Sequence, residues 1–209
     1  MSAEDLRGGS VAEAIRRHRL IAVLRRVQPR EALIGLMEEL AEAGVRIFEI
    51  TLDAPEGAED LAAVRGHLAG RDCLVGAGTI LRREQLDAAR RADADFAVAP
   101  LLDPDLLRNA VEGGLPFVPG AMTPTEAAAA WDAGATFVKL FPASAVGPAF
   151  VRELRGPLPD VQLIPTGGID ATNAGAFLAA GAAAVGIGGA ITRATPEERR
   201  ALVASVVRP

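Results

Sequence analysis

Short apolar runs alternate along this chain with longer stretches in which apolar residues return every three or four positions. The first pattern predicts strands buried on both faces, the second amphipathic helices packed over them. Residues 10–19 open the series as a helix, with Val11, Ile15 and Leu20 spaced among charged residues. Strands are then predicted at 20–25, 46–52, 74–80, 96–100, 116–122, 135–143, 162–166 and 183–187. Helices are predicted over 29–43, where Gly44 stops the turn, over 56–68 and 83–92, from Pro104, from Thr123, and over 148–155. Further helical segments follow the last two strands. Thr123-Pro124-Thr125-Glu126 carries a full helix start: a Thr N-cap, Pro at the first helical position, and Glu completing a capping box.

Eight strand–helix units in 209 residues leave about 25 residues each, near the lower limit of a (β/α)8 barrel. No linker, low-complexity tract or composition break divides the chain. The expected fold is therefore one α/β domain over 1–209, a (β/α)8 TIM barrel with an N-terminal helix. A doubly wound open sheet shares the alternation, but it gathers functional residues at a single switch point. A barrel presents the C-terminal end of every strand at one mouth. Arg25, Glu49, Thr51, Thr79, Lys139 and Thr166 stand at or near such ends, and Pro100 and Phe141 lie at the ends of theirs. That distribution favours the barrel.

Composition changes the picture at one position. Of 22 basic side chains only Lys139 is lysine, and it lies in the apolar run Phe137-Val138-Lys139-Leu140-Phe141. An amine there is costly to keep charged, and a neutral lysine attacks carbonyl groups to form a Schiff base, which arginine cannot do. The other reading is a lysine whose stem packs while its head reaches water. Strand alternation places Phe137, Lys139 and Phe141 on one face of the sixth predicted strand, and Ile47, Glu49 and Thr51 on one face of the second. The wholly apolar opposite faces are expected to meet the helices, which directs Lys139 and Glu49 into the barrel. Glu49 is then either a structural counter-charge or an acid–base partner.

Two glycine-rich loops follow the seventh and eighth strands, Thr166-Gly167-Gly168 and Gly186-Ile187-Gly188-Gly189. Loops in these places commonly hold phosphate in barrels, because glycine lets backbone N–H groups approach the anion. Tight turns need the same residues. A dinucleotide motif does not fit, since a third glycine at the required spacing is missing. A lysine nucleophile, a proton-moving carboxylate and an anion cradle together suit a phosphorylated keto substrate. Such chemistry requires no metal or other cofactor, since the protonated imine is itself the electron sink.

Bulk properties narrow the partners. The net charge of −5 and the lack of a basic stripe give no case for nucleic acid. No apolar run is long enough to span a bilayer, and MSAEDLRGGS lacks the pattern of a secretory signal, so a cytoplasmic location is expected. One cysteine, Cys73, and two histidines, His18 and His67, provide neither a disulfide framework nor a ligand-spaced metal set.

Six motifs in order carry a resemblance. They are Ile21-Ala22-Val23-Leu24-Arg25, Phe48-Glu49-Ile50-Thr51-Leu52, Val75-Gly76-Ala77-Gly78-Thr79, 119–126, Val138-Lys139-Leu140-Phe141-Pro142 and Pro165-Thr166-Gly167-Gly168-Ile169. Nearly end to end, the chain resembles the 2-keto-3-deoxy-6-phosphogluconate (KDPG) and 4-hydroxy-2-oxoglutarate (KHG) aldolases. The resemblance implies a homotrimeric class I aldolase of Entner–Doudoroff carbohydrate metabolism. Such an enzyme cleaves a phosphorylated keto sugar acid to pyruvate and glyceraldehyde 3-phosphate, or 4-hydroxy-2-oxoglutarate to pyruvate and glyoxylate. Lys139 falls on the Schiff-base lysine and Glu49 on the acid–base residue. Arg25, Thr79, Thr51, Pro100 and Phe141 are expected around the substrate, and Thr166, Gly167, Gly168, Gly188 and Gly189 around the phosphate. The galactonate epimer is an alternative substrate, and a non-covalent phosphate-binding isomerase an alternative function. The chain departs from many members twice. It has Asp53 where they carry an arginine, an acid expected to repel an anionic substrate, and Gly189-Ala190 where they place a serine.

Overall fold

Leu20–Leu24 (β1) is apolar and buried at all five positions, which a strand can be only when both its edges and both its faces are covered. It pairs in parallel with Ile47–Thr51 (β2) on one side and Val185–Ile187 (β9) on the other. The structure, a computed structural model, describes residues 2, 5, 7 and 9–207. Beyond β2 come Leu74–Gly78 (β3), Ala97–Val98 (β4) and Phe117–Val118 (β5), giving the order β5-β4-β3-β2-β1-β9. A second parallel sheet runs Gly120–Ala121 (β6), Val138–Leu140 (β7), Leu163–Pro165 (β8). A parallel bridge between Thr166 and Gly186 links the end of β8 to β9. The result is an α/β fold with a curled, wholly parallel sheet of TIM-like form.

The predicted fifth strand, 116–122, is two short strands rather than one. Pro119 has no N–H to donate to a ladder, and the chain changes partner there. Phe117–Val118 pairs with β4, Gly120–Ala121 with β7. Gly120 is required at the crossing, because a Cβ would lie 2.3 Å from the Pro100 carbonyl carbon and oxygen. The lysine strand is also shorter than 135–143, giving way at Ala143–Ala145 to a 3-10 turn before the helix Gly147–Leu154.

Helices lie where the periodicity places them, among them Ser10–His18, Arg30–Glu42, Gly57–His67, Arg83–Arg91, Pro104–Glu112 and Pro124–Asp132. The last begins with the expected capping box. Glu126 N donates to Thr123 Oγ1 at 3.3 Å, and Glu126 Oε2 accepts from Thr123 N at 2.9 Å. Such a cap is worth about 1 kcal/mol.

Two apolar clusters separate the faces of the sheet. Ala22, Phe48, Ile50, Val138 and Leu140 belong to the larger cluster, together with the buried side chains of the surrounding helices. Residues of the opposite parity, Ile21, Ile47, Phe96, Val98, Val118, Phe137, Ile164 and Ala184, form the smaller one with Ala12 and Ile15 of the first helix. The smaller cluster is the inner face, and the helix Ser10–His18 covers its lower end. Glu49, Lys139 and Thr166 each lie two residues beyond a member of it, toward the C-terminal ends of the strands.

Candidate active site

Alternation along β7 and β2 puts Lys139 and Glu49 on the inner face, where they are 4% and 2% exposed. The alternative of a lysine head in water is thereby excluded. Lys139 Nζ lies 3.7 Å from Glu49 Oε1, within ion-pair range but longer than a hydrogen bond. Glu49 Oε1 is buried and accepts no hydrogen bond. The Phe141 ring, next on the same face, has its centroid 5.3 Å from Nζ. Gly78 makes the arrangement possible, for a Cβ there would lie 2.2 Å from Glu49 Oε1 and 2.6 Å from its Cγ.

Arg25 leaves the end of β1 and reaches across the mouth. Its Nη1 lies 2.7 Å from Asp53 Oδ2, and its Nη2 donates to Thr79 Oγ1 at 3.1 Å. Arg26 Nη2 approaches the same Asp53 oxygen at 3.2 Å. Asp53, an acid expected to repel an anion unless Arg25 compensates, has its charge offset by Arg25 and also by Arg26. Burial raises the Asp53 pKa, but the nearby Thr51 hydroxyl first, and then the Arg25 and Arg26 guanidiniums, hold it below the usual carboxylate range. Asp53 also fixes Arg25 in place. Thr79, nearly buried, takes a left-handed φ of 58°, a strained conformation for a β-branched residue.

The glycine loops close the other side. Gly167 and Gly168 have φ of +90° and +75°, which glycine alone adopts without strain. Side chains there would also strike Phe141 and Ser144 respectively. The loop is held by Ala143 N to Thr166 O (2.8 Å), Ser144 N to Gly167 O (3.0 Å) and Asn173 Nδ2 to Gly168 O (2.8 Å). Among the described residues, the Gly167 and Gly168 N–H groups donate no backbone hydrogen bond. Thr166 Oγ1 donates to Ile164 O at 3.3 Å and lies where a Cβ on Gly186 would meet it at 2.3 Å.

A cavity of about 440 Å³ opens at this mouth. Of the residues singled out in the sequence, Arg25, Lys139, Phe141, Thr166, Gly167, Gly168, Gly188 and Gly189 line it. Glu49, Thr51, Thr79 and Pro100 do not reach its wall. Glu49 stands behind Lys139, Thr79 behind Arg25, and Pro100 packs under Gly120. The Thr51 hydroxyl is buried without a hydrogen-bond partner. The wall also includes Val23 and Ile169 of the quoted motifs, Ala190 beside Gly189, and Asp170 and Arg193, for which the sequence predicts no site role. Strand parity is enough to place Val23, and the glycine motif to place Ile169. Arg193 is one arginine among 21 and carries no comparable signal. Among the described residues no group of three or more His, Cys, Asp or Glu side chains is placed to hold a metal ion, and no helix is long and apolar enough to cross a membrane.

Comparison with known proteins agrees with this geometry and identifies the chain as an aldolase, a carbon–carbon lyase. It belongs to the KDPG and KHG aldolase family, whose model matches residues 11–202. The chain is 37% identical over 176 residues to the 2-dehydro-3-deoxy-6-phosphogalactonate aldolase of Escherichia coli K12, covering 84% of this chain and 85% of that one. It is 35% identical over 171 residues to a 2-dehydro-3-deoxy-phosphogluconate aldolase of Treponema pallidum, covering 81% and 80%. Among solved structures it is similar to the KDPG aldolase of Legionella pneumophila with pyruvate captured at low pH as a covalent carbinolamine intermediate. That similarity has a TM-score of 0.84 at 26% identity, over 96% of this chain and 100% of that one.

Proposed function

We propose that this protein is a class I aldolase in which Lys139 is the Schiff-base nucleophile and Glu49 its acid–base partner. The substrate is a 2-dehydro-3-deoxy-6-phospho sugar acid, cleaved to pyruvate and glyceraldehyde 3-phosphate. One observation carries the reading: a buried amine, 3.7 Å from a buried carboxylate, faces a cavity walled by two glycine loops. Lys139 Nζ attacks the C2 carbonyl, and loss of water from the carbinolamine gives an iminium ion. Glu49 takes the proton of the C4 hydroxyl, directly or through water, as the C3–C4 bond breaks and its electrons pass into the iminium. The aldehyde leaves, the enamine is protonated at C3, and hydrolysis frees pyruvate.

In this reading the parallel strands close as an eight-stranded barrel in one domain over 1–209. Phe117–Val118 and Gly120–Ala121 count as one strand broken at Pro119, the Thr166–Gly186 bridge joins the remaining seam, and the helix Ser10–His18 caps the lower end. Arg25 binds the substrate carboxylate, Thr79 and Thr51 border the pyruvyl part, and Pro100 and Phe141 shape the pocket. Thr166, Gly167, Gly168, Gly188 and Gly189 receive the phosphate. The enzyme works in the cytoplasm as a homotrimer. The exposed Leu81 and Leu101, on the loops after the neighbouring strands β3 and β4, support an oligomer contact at that end.

Both epimers are candidate substrates, and the relative at 37% identity, named for the galactonate compound, favours testing that epimer beside the gluconate one. The experiment is a retro-aldol assay across the two phosphorylated epimers and 4-hydroxy-2-oxoglutarate, coupled to pyruvate detection. Pyruvate release together with a borohydride-stable pyruvate adduct on Lys139 supports the reading. Sugar-phosphate interconversion without any adduct supports the isomerase instead.

A further inference from the structure

The cavity beside Lys139 is lined by two arginines, and they differ. Arg25 is tied to Asp53 and Thr79. Arg193 is exposed and makes no ion pair or side-chain hydrogen bond among the described residues, although it lies on the wall with Gly167 and Gly168. The acidic group there, Asp170, turns its carboxylate onto Thr172, accepting from the backbone N at 2.8 Å and from Oγ1 at 2.6 Å. Arg193 therefore brings a guanidinium to the cavity wall without an ion pair to any described residue.

It lies against a missing side chain. A Cβ on Gly189 would lie 2.9 Å from Arg193 Nη2 and 3.0 Å from Nη1, so the guanidinium rests directly over the backbone of the last glycine loop. Arg193 also lines a second cavity of about 390 Å³, bounded by Ala171, Thr172 and Glu198. Open space on both sides leaves the long side chain free to turn toward an anion.

We infer that Arg193 is a phosphate ligand of this enzyme, its guanidinium joining the backbone N–H groups of the glycine loops and selecting phosphorylated over unphosphorylated keto acids. The inference rests on the aldolase reading above. A fork of guanidinium N–H donors matches phosphate oxygens and adds the charge that backbone N–H groups from Gly167 and Gly168 lack.

The test measures kcat/KM of the wild type, Arg193→Ala and Arg193→Lys on a 2-dehydro-3-deoxy-6-phospho sugar acid and on the same sugar acid without its phosphate. In Arg193→Ala the ratio of the two values should fall by about tenfold to a hundredfold, mainly through KM for the phosphorylated substrate. Inhibition by inorganic phosphate should weaken in parallel, and Arg193→Lys should recover part of the ratio. An unchanged ratio, or an equal loss on both substrates, overturns the inference. Borohydride trapping of pyruvate on Lys139 is run on all three proteins to show that each retains its active site. If the wild type itself gives no adduct, it is the aldolase reading that fails. If adducts form and the ratio does not move, only the role of Arg193 fails.

Discussion

Glu49 Oε1 stands 3.7 Å from Lys139 Nζ, inside the sheet, and accepts no hydrogen bond. A pair kept only for stability gains from close, fully satisfied contact, because desolvation of two charges offsets most of their attraction. This pair is instead held slightly apart, with an acceptor oxygen left open beside the amine. In the proposed mechanism that open oxygen is the one that takes the proton of the C4 hydroxyl.

Lys139→Arg should abolish the borohydride-stable pyruvate adduct and lower turnover by roughly four orders of magnitude or more, since a guanidinium keeps the charge and loses the nucleophile. Intact-mass spectrometry after reduction checks the first, a pyruvate-coupled assay the second. Substantial activity in the variant would contradict the Schiff-base role.

Glu49→Gln keeps the shape and removes the proton acceptor. Turnover should fall about 10²- to 10⁴-fold while the thermal midpoint stays near that of the wild type. A large drop in the midpoint with turnover retained at low temperature would mark Glu49 as structural instead.

Gly78→Ala tests positioning without touching either ionisable group. The added methyl would fall 2.2 Å from Glu49 Oε1 and force the carboxylate away. A displacement of this size should cost about 10²-fold in kcat and about 1–3 kcal/mol in stability. Gly66→Ala is the control. It sits in the helix Gly57–His67 with nothing within 4 Å of its would-be Cβ, and should stabilise by about 0.5–1 kcal/mol without loss of activity.

Asp53→Asn should free Arg25 and remove a pH-dependent contribution to stability. The folded-state pKa of Asp53 lies below the usual carboxylate range, so the native state favours the ionised form. The contribution is fully present above the unfolded-state pKa and is lost as pH falls through the depressed folded-state value. With Arg25 and Arg26 roughly half or more exposed, it amounts to about 1 kcal/mol or less. Urea unfolding of both proteins between pH 7 and pH 3 should show a constant gap at the upper end and a closing one at the acid end. A gap that widens toward low pH would contradict this account.

Side-chain parity makes the Lys139–Glu49 pair on the inner face legible in the sequence. Phe137, Lys139 and Phe141 had to share a face, as did Ile47, Glu49 and Thr51, and the opposite faces were too apolar to turn inward. Helix boundaries followed in the same way, because Thr123-Pro124-Thr125-Glu126 and Gly44 carry local instructions. The change of partner at Pro119 was harder to see. Proline marks a missing donor but does not say which neighbour the chain takes up next. The Arg25–Asp53 contact depends on the approach of two loops 28 residues apart, which periodicity does not encode. Arg193 was hidden for a similar reason. Its meaning comes from the empty Cβ position of Gly189, a property of space rather than of pattern.

The first helix has a kinetic consequence. Ala12 and Ile15 close the lower end of the inner face, so the space around Lys139 is a blind alley entered from the mouth. For the proposed cleavage, the fragment bonded to the amine lies at the closed end and the aldehyde lies nearer the entrance. Release is then ordered, aldehyde first and pyruvate second. Pyruvate becomes the competitive product inhibitor and the aldehyde the non-competitive one, and in the condensation direction pyruvate must enter before its partner.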